Sequence, residues 1–297
     1  MVYLNSNPIA VTRYPDNTVK IDIPAKYLIQ SRRHTIRWQY ENDEEFMIVA
    51  FVKKHLDEYF AKMFTPNNMK DVELVMDYIP NARMDRVKDD FEIFTLKHFA
   101  SLINSLNFKC VSVFDPHSTV SEALFNNLVI KRNALVTTIT HVVANMVKEF
   151  TDGRYEDLVI FYPDEGSQKR YHDNCMFDLI PFFGNKIRDW KTGEIRGLTI
   201  ETHTDKSLDY LKGKSVLIID DIISAGGTVY HSIKELEKYG VKNVCCYASH
   251  LENTMFTQEQ NKLRDMLFDD NSIFKLLCST DSLYNLGPQK NLKIIKI

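Results

Sequence analysis

The hydrophobic positions of this chain switch repeatedly between two spacings. The stretch 18–23 reads T-V-K-I-D-I and puts Val19, Ile21 and Ile23 on one face, so its period of two predicts a strand. Pro15-Asp16-Asn17 just before it is turn chemistry. A second strand is expected over 35–40. Over 43–63 the apolar residues Phe46, Val49, Ala50, Val52, Leu56 and Phe60 recur at helical spacing. Strands are expected at 73–78, ending at Pro80, and at 109–114, with a helix over 94–106 between them. The second half repeats the alternation: a helix over 134–150, strands over 158–162 and 176–183, and a strongly apolar strand over 215–219. A helix over 228–239, stopped by Gly240, and strands over 244–249 and 292–297 complete the pattern. Strands alternating with helices imply an α/β fold with mainly parallel sheets flanked by helices. The pattern divides into two similar domains, 1–135 and 136–297.

Length agrees with that division, since 297 residues suit two domains of roughly 150 each. The formal net charge of -3 gives no reason to expect a nucleic-acid partner, so an anionic ligand has to be met by local charges. The five cysteines, Cys110, Cys175, Cys245, Cys246 and Cys278, are odd in number and form no C-x-x-C pair. They read as reduced thiols in or near cores, with Cys245 and Cys246 on opposite faces of a strand. No basic leader with an apolar run opens the chain, and no apolar stretch is long enough for a bilayer. The expectation is a cytoplasmic protein with no membrane partner.

The chemistry concentrates in 215–229, S-V-L-I-I-D-D-I-I-S-A-G-G-T-V. A buried strand runs into two carboxylates, then a loop of small residues, then a helix. Ligands of open α/β sheets bind at the carboxyl ends of strands. Asp220 and Asp221 can accept hydrogen bonds from neighbouring sugar hydroxyls. Ser224, Ala225, Gly226, Gly227 and Thr228 present backbone N–H groups at a helix start, where phosphate is favoured, and the glycines permit close approach. The G-x-x-x-x-G-K-[ST] phosphate loop is absent.

This stretch resembles the phosphoribosyl pyrophosphate-binding motif shared by type I phosphoribosyltransferases and the diphosphokinases that make that compound. Other segments resemble the ribose-phosphate diphosphokinase (phosphoribosyl pyrophosphate synthetase) family, in the family order. Segment 75–86, V-M-D-Y-I-P-N-A-R-M-D-R, is similar to the family's nucleotide segment, with Arg83 and Asp85 matching and Met84 where Gln is usual. Segment 113–118, V-F-D-P-H-S, resembles the strand end whose His sits by the ATP phosphates and a metal, which makes His117 the candidate. Segment 159–170, V-I-F-Y-P-D-E-G-S-Q-K-R, matches a Pro-Asp-x-Gly-x-x-Lys-Arg pattern whose Asp binds magnesium, here Asp164. Lys169 and Arg170 would then open a following helix. Segment 183–188, F-G-N-K-I-R, resembles the catalytic arm, with Lys186 and Arg188 as its basic pair and a polar closing loop over 189–204. Tyr14-Pro15-Asp16 stands in the place of the adenine-binding loop, which acts across a subunit interface.

The resemblance implies an enzyme with two phosphoribosyltransferase-like domains. It implies transfer of the β,γ-diphosphate of ATP to the anomeric hydroxyl of ribose 5-phosphate, giving phosphoribosyl pyrophosphate and AMP, with magnesium as cofactor. Lys186, Arg188, His117 and Asp164 are then the catalytic candidates, and Asp164 and His117 the metal ligands. Arg83, Asp85, His117, Tyr14 and Asp16 would hold ATP in the N-terminal domain. Asp220, Asp221 and 224–228 would hold the ribose phosphate, and a homo-oligomer is implied. Ser224-Ala225 stands where the family usually has Asp-Thr, which opens an alternative acceptor with a substituted 5-phosphate, such as ADP-ribose in NAD salvage. A phosphoribosyltransferase and a non-catalytic regulatory homologue are the remaining alternatives.

Overall fold

In the computed structural model, residues 1–29, 33–63, 71–172, 179–188 and 195–297 are described, with positions 29, 186–188 and 195–197 described by backbone alone. The chain divides into two compact units, Met1–Lys131 and Arg132–Ile297.

The first unit runs β1 (Val2–Leu4), β2 (Asn7–Pro8), β3 (Ala10–Arg13), β4 (Val19–Asp22), α1 (Lys26–Ile29), β5 (Arg33–Trp38), α2 (Glu45–Met63), β6 (Asp71–Met76), α3 (Thr95–Ser105), β7 (Cys110–Val113), α4 (Val120–Leu124) and β8 (Leu128–Ile130). Its main sheet has the order β2-β1-β5-β6-β7-β8. The run from β5 to β8 is parallel, and β1 joins β5 antiparallel. The helix expected over 43–63 forms because Ile48, Val49, Val52, Leu56 and Phe60 fall on one buried face. That face lies in a core with Leu4, Ile36, Trp38, Leu74 and Met76. The strand expected over 18–23 exists, but outside this sheet, as half of a separate antiparallel hairpin of β3 and β4.

The second unit runs α5 (Arg132–Phe150), β9 (Leu158–Tyr162), α6 (Glu165–Tyr171), β10 (Pro181–Arg188), β11 (Ile195–Glu201), β12 (Ser215–Ile223), α7 (Gly227–Lys238), β13 (Asn243–Leu251), α8 (Thr254–Thr257), α9 (Lys262–Phe268), β14 (Phe274–Thr280) and β15 (Leu292–Ile295). The sheet order is β11-β10-β9-β12-β13-β14-β15, and every neighbouring pair is parallel except β10 with β11. β9 is buried at every position, and β12 and β13 nearly so, as expected of central parallel strands covered on both faces. Both units therefore have the expected α/β form, mostly parallel sheets flanked by helices.

Three expectations change. β12 extends past Ile219 to Ile223, so Asp220 and Asp221 belong to the strand rather than to the loop after it. Part of the expected closing loop, 195–201, is the strand β11, while 189–194 lies outside the described residues, as do Cys175 and the start of the strand expected at 176. Lys169 and Arg170 lie in the last turn of α6 instead of opening a helix. Among the described residues no helix is long and apolar enough to cross a membrane.

The described cysteines are free, and Cys245, Cys246 and Cys278 are buried. Burial pushes the Cys245 and Cys246 thiols well up and the Cys278 thiol to about 12. These three should therefore stay unlabelled by a thiol reagent at pH 8 in the native protein and label after unfolding. Peptide mass spectrometry checks this, and native labelling of Cys246 would contradict its burial.

Candidate active site

In the second unit the carboxyl end of β9 lies beside β12 just before Asp220, since the two strands pair in parallel from Ser215↔Leu158 to Ile218↔Phe161. Beyond β9 the chain turns at Pro163 and Asp164, and Asp164 is the N-cap of α6. Its Oδ1 accepts the Ser167 backbone N–H at 2.9 Å and the Ser167 hydroxyl at 3.1 Å, which satisfies an otherwise unpaired donor of the first turn. The same hydroxyl lies 2.9 Å from Asp220 Oδ1 on β12. Asp220 Oδ1 also accepts the Asp221 N–H at 3.0 Å. Arg170, one turn further along α6, pairs with Asp221 through Nη1 and Oδ2 at 2.8 Å. Both aspartates are buried, and a buried carboxylate needs such partners. One short helix thus ties together the three acids that the sequence singled out separately. Of its basic pair only Arg170 turns inward; Lys169 forms an exposed i,i+4 pair with Glu165 at 2.7 Å.

After β12 the loop 224–228 bends into α7. Gly226 is the N-cap of α7 with φ +79°, a conformation open to glycine, and a Cβ there would stand 2.3 Å from Leu263 Cδ2. The loop is therefore packed from behind against α9. Asn261 completes the brace: its amide donates to the Ala225 carbonyl at 3.0 Å while its Oδ1 caps α9 by accepting the Arg264 N–H at 2.9 Å. The outward side is open, because Ala225 and Gly227 are exposed and a Cβ on Gly227 would meet nothing within 4 Å. Backbone amides at the start of a twelve-residue helix, on an open glycine turn, favour an anion.

Beside Asp164 lies a cavity of about 750 Å³, lined among others by Gln168, His172, Gly184, Asn185 and Glu201. Phe183 and His203 form one side, with ring centroids 4.4 Å apart. Gly184 has a clear reason to be glycine: a Cβ there would meet the Pro163 carbonyl oxygen at 2.7 Å and Leu198 Cδ1 at 2.8 Å. Lys186 and Arg188 fall on β10, paired with Leu198 and Ile195 of β11, and their side chains lie outside the described residues.

The remaining candidates belong to the first unit. Tyr14 is exposed in the turn between β3 and β4. Asp16 Oδ1 holds that turn by accepting the Thr18 hydroxyl at 2.7 Å and the Thr18 N–H at 3.0 Å, which lowers the carboxyl's pKa. Arg83 is exposed and Asp85 half-buried in the turns after β6. His117 is half-buried beyond β7, next to buried Asp115, which has φ +46°. The sequence reading missed a cluster just past the end of β6. Asp77, fully buried after β6, accepts from Arg37 Nε at 2.9 Å and from Lys131 Nζ at 2.7 Å.

No group of three or more His, Cys, Asp or Glu arranged to hold a metal occurs among the described residues. The hard carboxylate oxygens of Asp164, Asp220 and Asp221 fit magnesium, which takes one or two protein carboxylates and fills its remaining positions with water and phosphate.

Residues 184–279, from Gly184 of the cavity through the loop to the end of β14, match the family described as Phosphoribosyl transferase domain. The ribose-phosphate pyrophosphokinase of Saccharolobus solfataricus is 30% identical over 216 residues, covering 70% of this chain and 69% of that protein. Ribose-phosphate pyrophosphokinase 2 of Archaeoglobus fulgidus is 26% identical over 236 residues, 77% of this chain and 78% of that protein. The crystal structure of phosphoribosylpyrophosphate synthetase from Mycobacterium smegmatis superposes with a TM-score of 0.61 at 14% identity, covering 97% of this chain and 86% of that one, which shows a common fold. By fold and by sequence, the chain belongs to the ribose-phosphate pyrophosphokinase family of enzymes.

Proposed function

We propose that this enzyme transfers the β,γ-diphosphate of ATP to the anomeric hydroxyl of ribose 5-phosphate, releasing AMP and phosphoribosyl pyrophosphate. The observation that carries the reading is the presence, in one unit, of an acid pair, an anion-ready loop and Asp164, with Asp164 tied to Asp220 through Ser167. The anomeric oxygen attacks the β-phosphorus, and the bond from that phosphorus to the α,β-bridging oxygen breaks. Asp220 and Asp221 orient the sugar by accepting from its hydroxyls, with Asp221 held in place by Arg170. The amides of 224–228 grip the 5-phosphate. Asp164 in the second unit and His117 in the first would each serve as a ligand for magnesium, which when bound would neutralise phosphate charge. Arg83, Asp85, His117, Tyr14 and Asp16 hold the nucleotide, and Lys186 and Arg188 meet charge developing at the β-phosphate. Such transfer rests on positioning and charge neutralisation rather than on covalent chemistry by the protein. The first unit serves the nucleotide and the second the ribose phosphate, in a cytoplasmic homo-oligomer acting on small molecules.

A second acceptor has its own support. The open outward face at Gly227 and the small Ser224 and Ala225 leave room for a substituent on the 5-phosphate, such as the rest of ADP-ribose. The test uses ATP, magnesium and either ribose 5-phosphate or ADP-ribose, and measures AMP together with the pyrophosphorylated sugar. Product with ribose 5-phosphate is the expected outcome. Product with ADP-ribose alone moves the enzyme to the second acceptor with the same chemistry, and no AMP in either tube overturns both.

A further inference from the structure

Ser167 occupies an unusual place in this network. It is buried within α6, and its hydroxyl oxygen stands 3.1 Å from Asp164 Oδ1 and 2.9 Å from Asp220 Oδ1. Each of those oxygens also takes one backbone N–H, from Ser167 on Asp164 and from Asp221 on Asp220. Two carboxylates on different elements therefore share a single hydroxyl. A serine hydroxyl has one hydrogen, so it donates fully to one of them at a time. Whatever draws charge from one carboxylate makes it the poorer acceptor and sends the hydrogen to the other. In a buried setting such exchanges are stronger than in water. Asp221 is tied separately to Arg170, so the exchange runs between Asp164 and Asp220.

We propose that Ser167 is a positioning residue that couples the two ends of the site. The inference rests on the proposed assignment of Asp164 to the metal and diphosphate and of Asp220 to the sugar. With a divalent cation at Asp164, the Ser167 hydroxyl is given to Asp220 and fixes that carboxylate in the orientation that accepts sugar hydroxyls. Occupation of the metal end then favours the sugar end, and by reciprocity the state of Asp220 alters affinity for the cation.

Manganese affinity tests this without turnover or an acceptor. Free manganese is counted by electron paramagnetic resonance in the full-length protein and its Asp164→Asn, Asp220→Asn, Ser167→Ala and Ser167→Ala/Asp220→Asn variants. Thermal melts establish that each is folded, and Ser167→Thr serves as the variant that keeps the hydroxyl. Loss of binding in Asp164→Asn identifies the manganese held at the site. Asp220→Asn should change its Kd about fivefold with Ser167 present and less than about twofold in the Ser167→Ala background. Ser167→Thr should retain the larger response. A purely structural role for Ser167 would move the melts but leave the two responses equal. Equal responses overturn the coupling while leaving the proposed function standing. Manganese binding indifferent to Asp164→Asn removes the metal assignment, and the coupling falls with it.

Discussion

Gly184→Ala is expected to cut turnover in the proposed diphosphate transfer about 100-fold while leaving the protein folded. The added methyl carbon would lie 2.7 Å from the Pro163 carbonyl oxygen and 2.8 Å from Leu198 Cδ1. The leucine can turn aside; a backbone carbonyl cannot. β10 pairs in parallel with β9 up to Phe183↔Tyr162, so relief has to come by moving the next residues, Pro163 and Asp164, away from the strand. Overpacking of this kind costs about 1–3 kcal/mol of stability. Displacing a group that positions the reactants by about 1 Å costs a much larger share of the rate. Steady-state AMP release measured alongside a thermal melt separates the two effects. Gly287→Ala is the matched control, because a Cβ there meets nothing within 4 Å. Turnover within about threefold of wild type would mean that the position of Asp164 does not limit the reaction.

Asp77→Ala is expected to cost about 3 kcal/mol of stability, one of the largest losses available to a single substitution in the first unit. The carboxylate is fully buried, with Arg37 Nη2 on its Oδ2 at 2.8 Å and Lys131 Nζ on its Oδ1 at 2.7 Å. Removing it strands two cations around a place where solvent does not reach. The expected loss sits at the low end of the range for broken buried pairs because Arg37 and Lys131 are 32% and 28% exposed and recover part of their hydration. Urea unfolding measures the difference, with separate transitions for the two units if they unfold independently. Glu165→Ala gives the contrast: its pair with Lys169 has the same 2.7 Å length but is 75% and 74% exposed, and its loss should leave the unfolding transition nearly unmoved. An Asp77→Ala transition as little moved would show that the cluster contributes little.

What the sequence made legible follows the range over which each signal acts. α2 and α7 announced themselves because burial of Val49, Val52, Leu56 and of Val229, Ile233, Leu236 follows the helical period. β12 was plain as far as Ile219 and then lost, because two adjacent aspartates read as loop. The ladder nevertheless continues through Asp220↔Ala248 to Ile223↔Leu251, since Ser167 and Arg170 satisfy the buried acids. Those partners come from a seven-residue helix that starts at Glu165 rather than at Lys169 and is capped by Asp164, a residue read as a catalytic candidate and metal ligand. β1 and β8, three residues each, are too short to show a period. The loop 224–228 was legible from its small residues, whereas its brace at Asn261 comes from 36 positions away. Arg37 and Lys131 lie 40 and 54 positions from Asp77, and no local pattern connects them.

The place of β12 in its sheet governs how the site can respond to a ligand. The strand is hydrogen-bonded to β9 from Ser215 to Ile218 and to β13 as far as Ile223, so Asp220 and Asp221 extend a central strand that β13 continues to pair on one side. Amides in such a ladder exchange with solvent only when the whole unit opens, whereas loop amides exchange through small local fluctuations. The two acids are held in place by the β13 ladder, Ser167 and Arg170, and binding spends little free energy on arranging them. Adaptation to a different acceptor falls to the margin, the 224–228 turn held from behind by the Asn261 hydrogen bond and by Leu263. Substitutions there can change what the enzyme accepts while the strand beneath keeps the chemistry in register.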